Sequence, residues 1–329
     1  MELSSLGLGT YLGPSSDAAD AAYTEAARAF FAAGGTVFDT AANYRGGRSE
    51  RALGAAFKSL PRGDFFISTK AGYIPMPDGD PNEGPRAWFH RVLEAPGILS
   101  VADLVDGCHA MTPRYLAHQL DISRAALGLE TLDLFHLHNP EQQLAHLGPE
   151  AFYAAIGRAF EACEGFVTEG KIRAYGVATW NGFRVPPGQE GHLSLARLVE
   201  AATSAGGRNH HFRWIQLPLN LAMPEAFLAP TQRLDGAVLT PLAAAQACGI
   251  SVQTSASIMQ ARILNQLPDG FAEALGLRTP AQAALQFTRS CPGVTTALCG
   301  MGRTAHVAEN VAVLDLPKLD PVALESLFG

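Results

Sequence analysis

The stretch TVFDTAANYRGGRSERALG (residues 36–54) contains one unit of strand, loop and helix start. A short apolar run ends in Asp39, Tyr44 lies in a loop rich in small residues, and a helix begins near Ser49 and Glu50. A strand followed by a helix is the repeating unit of α/β folds. The fold therefore depends on how often this unit recurs along the chain.

Strand-like apolar runs recur along the whole chain, separated by helical patterns. The predicted strands are residues 5–11, 36–41, 65–70, 132–138, 172–179, 214–220, 251–257 and 295–300. The predicted helices include residues 17–34, 112–128, 149–170 and 279–290. Thr112 and Thr279, each followed by proline, are typical of helix starts. Gly34, Gly128 and Gly170 are typical of residues just beyond a helix end.

Eight strands that alternate with helices predict a closed (β/α)8 barrel, the TIM-barrel form of the α/β class, as a single domain over residues 1–329. An open, doubly wound sheet is the alternative. The first strand argues against that sheet, because GLGTYLG does not have the GxGxxG spacing of the dinucleotide fingerprint. Residues 71–111 and 181–192 are longer than ordinary connections and follow strand ends. They predict long loops on the C-terminal face of the barrel.

Composition excludes several classes of protein. Of the 329 residues, 47% are hydrophobic and 17% are charged, which favours a large buried core over a disordered chain. The net charge of −7 argues against nucleic acid or an anionic membrane as a partner. The N-terminus lacks the pattern of a signal peptide, and no apolar run is long enough to span a bilayer. We therefore expect a cytoplasmic protein.

The cysteines do not suggest a metal site or a disulfide framework. They are Cys108, Cys163, Cys248, Cys291 and Cys299, which are widely spaced and include no CxxC pair. This spacing predicts buried, reduced thiols.

Polar side chains stand at the ends of three successive predicted strands. Asp39 closes the second strand, Lys70 the third and His138 the fourth, and Tyr44 follows Asp39 in the loop. Because the C-terminal ends of barrel strands meet around one mouth, we expect these four side chains to lie together. Each also has a structural interpretation when taken alone: Asp39 as a loop cap, Lys70 as a solvated strand end and His138 as a core imidazole.

Together the four residue types point to proton donation by a tyrosine. A free phenol has a pKa near 10, and a nearby ammonium such as that of Lys70 lowers it. A carboxylate such as that of Asp39 offsets the cost of burying the ammonium. The imidazole of His138 can orient a carbonyl oxygen by donating a hydrogen bond. Such a site would protonate an oxygen, by way of Tyr44, as charge develops on it.

These residues lie in motifs that resemble those of the aldo-keto reductase family. The similar pieces, in the family's order, are FDTAANYRGGRSERALG, ISTKAG, LDLFHLHNP, KIRAYGVAT and ALCGMGRTAHVAEN. The resemblance implies a (β/α)8 barrel, NADP(H) as cofactor and carbonyl reduction, with Asp39, Tyr44, Lys70 and His138 as catalytic residues. In LFHLHNP, the family's His-x-Pro ending selects His138, and period-two alternation places His136 on the same face, one layer deeper.

The resemblance also implies a cofactor site assembled from many segments. Its residues are Thr10, Tyr11, Asp39, Ala178, Thr179, Gln216, Ser255, Ser257, Ile258, Gln260, Arg262, Gly300, Met301, Arg303, Glu309 and Asn310. The nicotinamide is expected near Ala178, Thr179 and Gln216, and the 2′-phosphate of NADP near Arg303. Ala178–Thr179 stands where the family usually has Ser-Asn, and Ser255 where many members have an aromatic residue that stacks on the nicotinamide. These departures predict a weaker hold on the nicotinamide ring.

An NADP(H)-dependent oxidoreductase acting on a small-molecule carbonyl or alcohol is the leading functional hypothesis. Two alternatives stay open: a lyase or isomerase with the same site, and a nucleotide-binding regulatory subunit. The long loops carry the predicted substrate wall, which consists of Trp88, Phe89, His90 and Phe183. No metal is expected.

Overall fold

The computed structural model describes residues 2–75 and 83–328. Its strands are β1 (Leu6–Gly9), β2 (Val37–Asp39), β3 (Phe66–Ala71), β4 (Leu132–His138), β5 (Ile172–Ala178), β6 (Phe212–Pro218), β7 (Gln232–Leu234), β8 (Ala237–Leu239), β9 (Ser251–Ser255) and β10 (Val294–Gly300). β7 and β8 form an antiparallel hairpin, and the other strands pair in parallel and close into a barrel from β1 round to β10. This order confirms the predicted (β/α)8 barrel.

Helices follow the barrel strands along the chain. They are α1 (Asp17–Ala32), α2 (Arg48–Phe57), α3 (Pro85–Phe89), α4 (Pro113–Leu127), α5 (Leu144–Leu147), α6 (Pro149–Thr168), α7 (Leu195–Gly206), α8 (Glu225–Leu228), α9 (Pro241–Ala247), α10 (Phe271–Ala274), α11 (Pro280–Ser290), α12 (Thr304–Asn310) and α13 (Pro321–Glu325). Within residues 2–75 and 83–328, no helix has the length and apolar character needed to cross a bilayer.

The predicted helix ends agree with the structure. Thr112 accepts a hydrogen bond from the backbone N–H of Tyr115, and Thr279 accepts one from that of Gln282. Both threonines therefore satisfy a backbone donor that the first turn would leave without a partner. Gly128, which ends α4, has φ of 67°, a left-handed conformation that glycine adopts without steric cost.

The long connection after β3 is tied together at its two ends. Ile74 N donates to Cys108 O at 2.7 Å, and Ala110 N donates to Gly72 O at 2.9 Å. Between these ends lie α3, a π-helical turn and a 3₁₀ turn. The predicted loop 71–111 is therefore partly helical, and its residues 76–82 lie outside the described residues.

The barrel interior changes character along its axis. Towards the N-terminal ends of the strands, the rings of Phe66 and Trp214 meet across the barrel with centroids 5.2 Å apart. Two and four residues further along β3, Ser68 and Lys70 are fully buried and lie on the same face as Phe66, because side chains alternate along a strand. Aromatic packing therefore closes one end of the barrel, and polar side chains fill the layer beneath the other.

Helices α2 and α4 approach each other closely at Gly54. A Cβ at Gly54 would collide with the carbonyl oxygen of Ala126 and lie 3.1 Å from backbone atoms of Leu127. These atoms belong to the main chain and cannot rotate away. The absence of a side chain at Gly54 therefore sets how closely α2, which follows the Tyr44 loop, packs on its neighbour.

We expect Gly54→Ala to lower the free energy of unfolding by about 1–3 kcal/mol, because the added methyl group forces the two helices apart. Urea unfolding measures this change. Gly157→Ala in α6 is the matched control, because nothing lies within 4 Å of a Cβ there. The control should be neutral or more stable by up to about 1 kcal/mol. Equal stabilities of the two variants would contradict this account.

Candidate active site

A buried ion pair joins the ends of β2 and β3. Lys70 Nζ lies 2.6 Å from Asp39 Oδ2 and also donates to the carbonyl oxygen of Thr40 at 2.7 Å. Burial alone would lower the pKa of Lys70, but the charge of Asp39 and its hydrogen bond hold that pKa above its ordinary value. The ammonium therefore stays charged although the side chain is fully buried.

Tyr44 lies beside this pair, as the sequence predicts. Lys70 Nζ is 3.4 Å from Tyr44 Oη and 4.9 Å from the centre of its ring. Burial raises the pKa of Tyr44, and the opposing charge of Lys70 does not outweigh it. The expectation of a lowered phenol pKa is therefore wrong in its net direction, because burial of the phenol has a larger effect than the charge of Lys70. The hydroxyl keeps its proton at neutral pH.

The loop that presents Tyr44 is fixed by Arg45. This residue has φ of 51°, an unusual left-handed conformation for a side chain of its size. Its guanidinium donates to Pro14 O from Nε at 3.0 Å and from Nη2 at 2.8 Å, and forms an ion pair with Asp20 at 2.5 Å. This anchor is not evident from the sequence, because its partners Pro14 and Asp20 are more than twenty positions away.

The Ser49–Glu50 pair fixes helix α2 to both neighbouring strands. Ser49 Oγ donates to Thr10 O at 2.7 Å, and Thr69 Oγ1 donates to Glu50 Oε1 at 2.6 Å. Thr69 immediately precedes Lys70 on β3. The helix that follows the Tyr44 loop is therefore locked to the strand that carries the lysine.

His138 completes the group of four residues that the sequence placed together. Its ring meets that of Tyr44 edge to face, with centroids 5.7 Å apart. Burial, followed by the charge of Lys70, lowers the pKa of His138 well below its ordinary value. The imidazole is therefore neutral at neutral pH and has one N–H to donate.

The loop after β3 holds the backbone of His138 in place. Gln143 Nε2 donates to His109 Nδ1 at 3.1 Å, so His109 carries its hydrogen on Nε2 and donates it to His138 O at 2.7 Å. Tyr73 packs edge to face on both imidazoles. Its hydroxyl accepts a hydrogen bond from Asn139 Nδ2 at 3.1 Å. A loop expected to cover substrate thus also supports the histidine.

Asp39, Tyr44 and His138 line a cavity of about 680 Å³ on the C-terminal face of the barrel. Most of the predicted site residues line it: Thr10, Tyr11, Asp39, Tyr44, His138, Ala178, Thr179, Gln216, Ser255, Ser257, Ile258, Gln260, Gly300, Glu309 and Asn310. Tyr73, Asn139, Trp180 and His306 also line it and were not identified from the sequence. Trp180 and Tyr73 follow predicted strands within three residues, and that position was the available signal.

Some predicted cofactor residues lie outside this lining, as far as residues 2–75 and 83–328 define it. Met301 is fully buried, and Arg262 and Arg303 are exposed. Arg303 is the N-cap of α12 and stands between Gly300 and His306, which both line the cavity. Its backbone is therefore at the rim of the cavity.

The four residues expected to form a substrate wall lie elsewhere in the described structure. Trp88 and Phe89 pack in a small separate core with Leu93, and the exposed ring of His90 lies with Nδ1 2.9 Å from Glu94 Oε2. These aromatic side chains fill the interior of their own loop. The remaining residue of the predicted substrate wall is Phe183, in the loop after β5.

Phe183 is fully buried in the main hydrophobic core. Its carbonyl oxygen accepts a hydrogen bond from Thr231 Oγ1 at 2.6 Å. It therefore stabilises the loop after β5 and does not face the cavity.

The segment after β9 has a strained backbone. Ala256, Met259, Gln260 and Ala261 have φ values of 55°, 48°, 56° and 65°, a conformation that costs roughly 1–2 kcal/mol per non-glycine residue. Such strain is concentrated at functional segments. Ser257 Oγ is buried in this segment and has no hydrogen-bond partner among residues 2–75 and 83–328, and Ser257 lines the cavity. A polar ligand would satisfy it.

Ala178, Thr179 and Ser255, which differ from the residues usual in the aldo-keto reductase family, all lie in the cavity wall. Thr179 donates to the carbonyl oxygen of Gln216 from its backbone N–H at 2.8 Å and from Oγ1 at 3.4 Å. Ala178 has no polar side-chain atom, and Ser255 presents only a hydroxymethyl group. Gln216 is therefore the amide side chain at this position in the wall. In the part of the chain that the structure describes, no cluster of His, Cys, Asp and Glu could hold a metal ion.

A family model described as the Aldo/keto reductase family matches residues 5–185. The chain belongs to the aldo/keto reductase family. The matched region contains Asp39, Tyr44, Lys70 and His138.

Individual relatives of this aldo/keto reductase differ in what they are named for. A D-threo-aldose 1-dehydrogenase from a Pseudomonas species is 32% identical over 147 residues, which cover 45% of this chain and 40% of that enzyme. A putative voltage-gated potassium channel subunit beta from Schizosaccharomyces pombe is 24% identical over 317 residues, 88% of this chain and 78% of that protein. The first similarity therefore spans less than half of the dehydrogenase.

Among solved structures, an aldo/keto reductase from Klebsiella pneumoniae in complex with NADP and acetate has a TM-score of 0.66 to this chain. The two are 23% identical, and the match covers 99% of this chain and 90% of the other. At that identity the similarity establishes the barrel fold.

Removing one member of the ion pair is expected to destabilise the fold more than removing both charges. Lys70→Met leaves the Asp39 carboxylate buried without a cation, so the free energy of unfolding should fall by about 3–5 kcal/mol. The double variant Asp39→Asn/Lys70→Met removes both charges, so its free energy of unfolding should fall by less than that of Lys70→Met. Urea unfolding of Lys70→Met, Asp39→Asn and the double variant measures the coupling. Additive losses would show that the two charges do not depend on each other.

Proposed function

We propose that this protein is an NADP(H)-dependent oxidoreductase that reduces an aldehyde or ketone, or oxidises the corresponding alcohol. The observation that carries the proposal is the position of Tyr44 Oη, 3.4 Å from Lys70 Nζ in the wall of a cavity of about 680 Å³. An acid that keeps its proton until charge develops nearby, with a cation ready to stabilise its anion, suits carbonyl reduction.

The chain's own residues would act in a fixed order of contacts. A bound reduced nicotinamide supplies the hydride for the carbonyl carbon. The neutral imidazole of His138 donates a hydrogen bond to the carbonyl oxygen and orients it towards Tyr44. Tyr44 Oη then gives its proton to that oxygen, and Lys70 stabilises the phenolate that remains. Asp39 keeps the ammonium in place throughout.

The cavity suits a dinucleotide on its own chemistry. Ser257 Oγ and Asn310 Oδ1 are buried, have no partner within the described part of the chain, and belong to residues that line the cavity. Ser257, Ile258 and Gln260 would contact the pyrophosphate, and Glu309 and Asn310 the adenine. Arg303, at the rim, would contact the 2′-phosphate. The NADP found in the Klebsiella pneumoniae structure supports the same choice of cofactor.

Hydroxylated carbonyl compounds are the substrates to test first. The cavity wall combines aromatic side chains, Tyr73 and Trp180, with the amides of Asn43 and Asn139. Aromatic faces and amides together suit a molecule with both C–H surface and hydroxyl groups. The similarity to an aldose dehydrogenase over 147 residues makes aldoses the natural first panel.

A regulatory, nucleotide-binding role is the second candidate, favoured by the similarity to the potassium channel subunit beta. Anaerobic single-turnover absorbance at the reduced-nicotinamide band separates the possibilities. Oxidation of bound NADPH by a carbonyl substrate supports the reductase. A substrate converted without net change in absorbance would indicate a lyase or isomerase, and binding of NADPH without any turnover would favour regulation.

We expect Tyr44→Phe to lower the rate of carbonyl reduction by at least about a hundredfold, because the proton donor is lost while the ring stays. NADPH affinity, measured by fluorescence titration, should stay nearly unchanged. Tyr153→Phe is the matched control, since Tyr153 lies on α6 and accepts a hydrogen bond from Ser194 N far from the cavity. Turnover of Tyr44→Phe at the control's rate would exclude Tyr44 as the acid.

Arg303→Ala should discriminate between the two nicotinamide cofactors. A guanidinium binds a phosphate through charge-assisted hydrogen bonds worth about 1.5–3 kcal/mol. The loss should weaken NADPH binding roughly ten- to a hundredfold and leave NADH almost unaffected, because NADH lacks the 2′-phosphate. Fluorescence titration of both cofactors against both proteins measures this. Equal losses for the two would mean that Arg303 does not contact the phosphate.

A further inference from the structure

A ring of hydrogen bonds lies in the barrel interior directly beneath the cavity. Gln216 Nε2 donates to Asp39 Oδ1 at 3.0 Å and to Gln253 Oε1 at 3.1 Å. Gln253 Nε2 donates to Ser68 Oγ at 3.3 Å, and Ser68 Oγ donates to Asp39 Oδ1 at 2.7 Å. The ring therefore connects strands β2, β3, β6 and β9. All four residues are at most 4% exposed.

His136 joins this ring from β4. Its Nε2 lies 3.3 Å from Gln253 Oε1, and the side chain is fully buried. Burial and then the charge of Lys70 lower the pKa of His136 to about 4, so its imidazole is neutral and carries one hydrogen on a ring nitrogen. Because Gln253 Oε1 can only accept, that hydrogen is on Nε2.

Every donor in the network is directed towards the carboxylate of Asp39. His136 donates to Gln253, Gln253 donates to Ser68, and Ser68 donates to Asp39. Gln216 donates to Asp39 directly. Reversing any one amide would place an oxygen against another acceptor and leave a buried N–H without a partner, which is costly. The orientation of each amide is therefore fixed by the others.

This direction decides what Gln216 can offer to a ligand. Both hydrogens of its Nε2 are used inside the barrel, one by Asp39 and one by Gln253. Its Oε1 is the remaining polar atom of a side chain that lines the cavity. The neighbouring wall residues Ala178 and Thr179 have no amide group, so Gln216 Oε1 is an acceptor available beside them for an amide N–H.

We propose that His136 and Gln253 are positioning residues that hold the amide of Gln216 with its oxygen towards the cavity, where it accepts the N–H of a nicotinamide carboxamide. The inference rests on the proposed function, since it needs a nicotinamide ligand. It also accounts for two polar residues in a barrel layer that bulky, branched apolar side chains usually fill.

Equilibrium binding of three ligands tests this, without turnover. The ligands are NADP⁺, its acetylpyridine analogue, in which a methyl ketone replaces the carboxamide, and adenosine bisphosphate, which lacks the nicotinamide half. The wild-type protein should bind NADP⁺ more tightly than the analogue, which has no N–H to donate. Gln253→Met keeps the length of the side chain and removes its hydrogen bonds. We expect this variant to weaken the binding of NADP⁺ about three- to tenfold, the equivalent of one neutral hydrogen bond. Its affinities for the other two ligands should stay unchanged.

Two further variants separate positioning from general damage. His136→Leu removes the donor to Gln253 and should reproduce the loss for NADP⁺, whereas His136→Gln places an N–H at similar reach and should restore most of it. Thr254→Val is the control on β9, because Thr254 is buried next to Gln253 and its hydroxyl has no partner in the described residues. Thermal unfolding of each variant reports on folding.

The outcomes are distinct. Equal weakening of all three ligands, or no weakening of NADP⁺ in Gln253→Met and His136→Leu, would overturn the positioning role. If Gln253→Met does not fold, the comparison of His136→Leu with His136→Gln decides the question. Failure of the wild-type protein to bind NADP⁺ at all would instead refute the proposed function.

Discussion

The buried ion pair between Lys70 and Asp39 is the interaction on which the rest of the site depends. An ammonium that is fully buried is strongly disfavoured unless an opposite charge and hydrogen bonds accompany it. β2 therefore has to end beside β3, with Asp39 paired to Ser68 in the parallel register. Burial also raises the pKa of Tyr44, so the phenol keeps its proton at neutral pH and Lys70 stabilises an anion only when one forms. The position of Lys70 that suits its ion pair with Asp39 is therefore also the position from which it can stabilise the phenolate of Tyr44.

The barrel keeps this polar layer separate from an apolar surrounding. Outward-facing residues such as Phe38 and Phe135 join the core between strands and helices, while Asp39, Ser68 and His136 face inward. Inside, Ser68, the amide nitrogen of Gln216 and both amide atoms of Gln253 have hydrogen-bond partners of the correct kind, as burial requires. The network makes Asp39 a shared acceptor for groups from several strands. Packing of the outer core therefore fixes the distances on which the inner hydrogen bonds depend.

The loops contribute support as well as cavity wall. The connection after β3 has its own small core around Leu93 and Tyr115, and its His109 donates to the backbone of His138. The loop after β2 is held by Arg45 to the segment that precedes α1. Residues that look like ligand contacts in the sequence, such as Trp88, are used to give a loop its shape. Residues close to strand ends, such as Tyr73, reach the cavity instead.

The sequence alone determined the barrel and the group of Asp39, Tyr44, Lys70 and His138, because strand–helix alternation and position at strand ends are local patterns. It also placed His136 one layer below His138, which follows from the period of a strand. It could not give the net direction of the Tyr44 pKa, the anchor made by Arg45 or the ring through Gln253. Those depend on burial and on partners far apart in the chain, as with Gln253 and Ser68, which are 185 positions apart. Only closure of the barrel brings such residues within hydrogen-bonding distance, and only the tertiary structure excludes the water that would otherwise satisfy them.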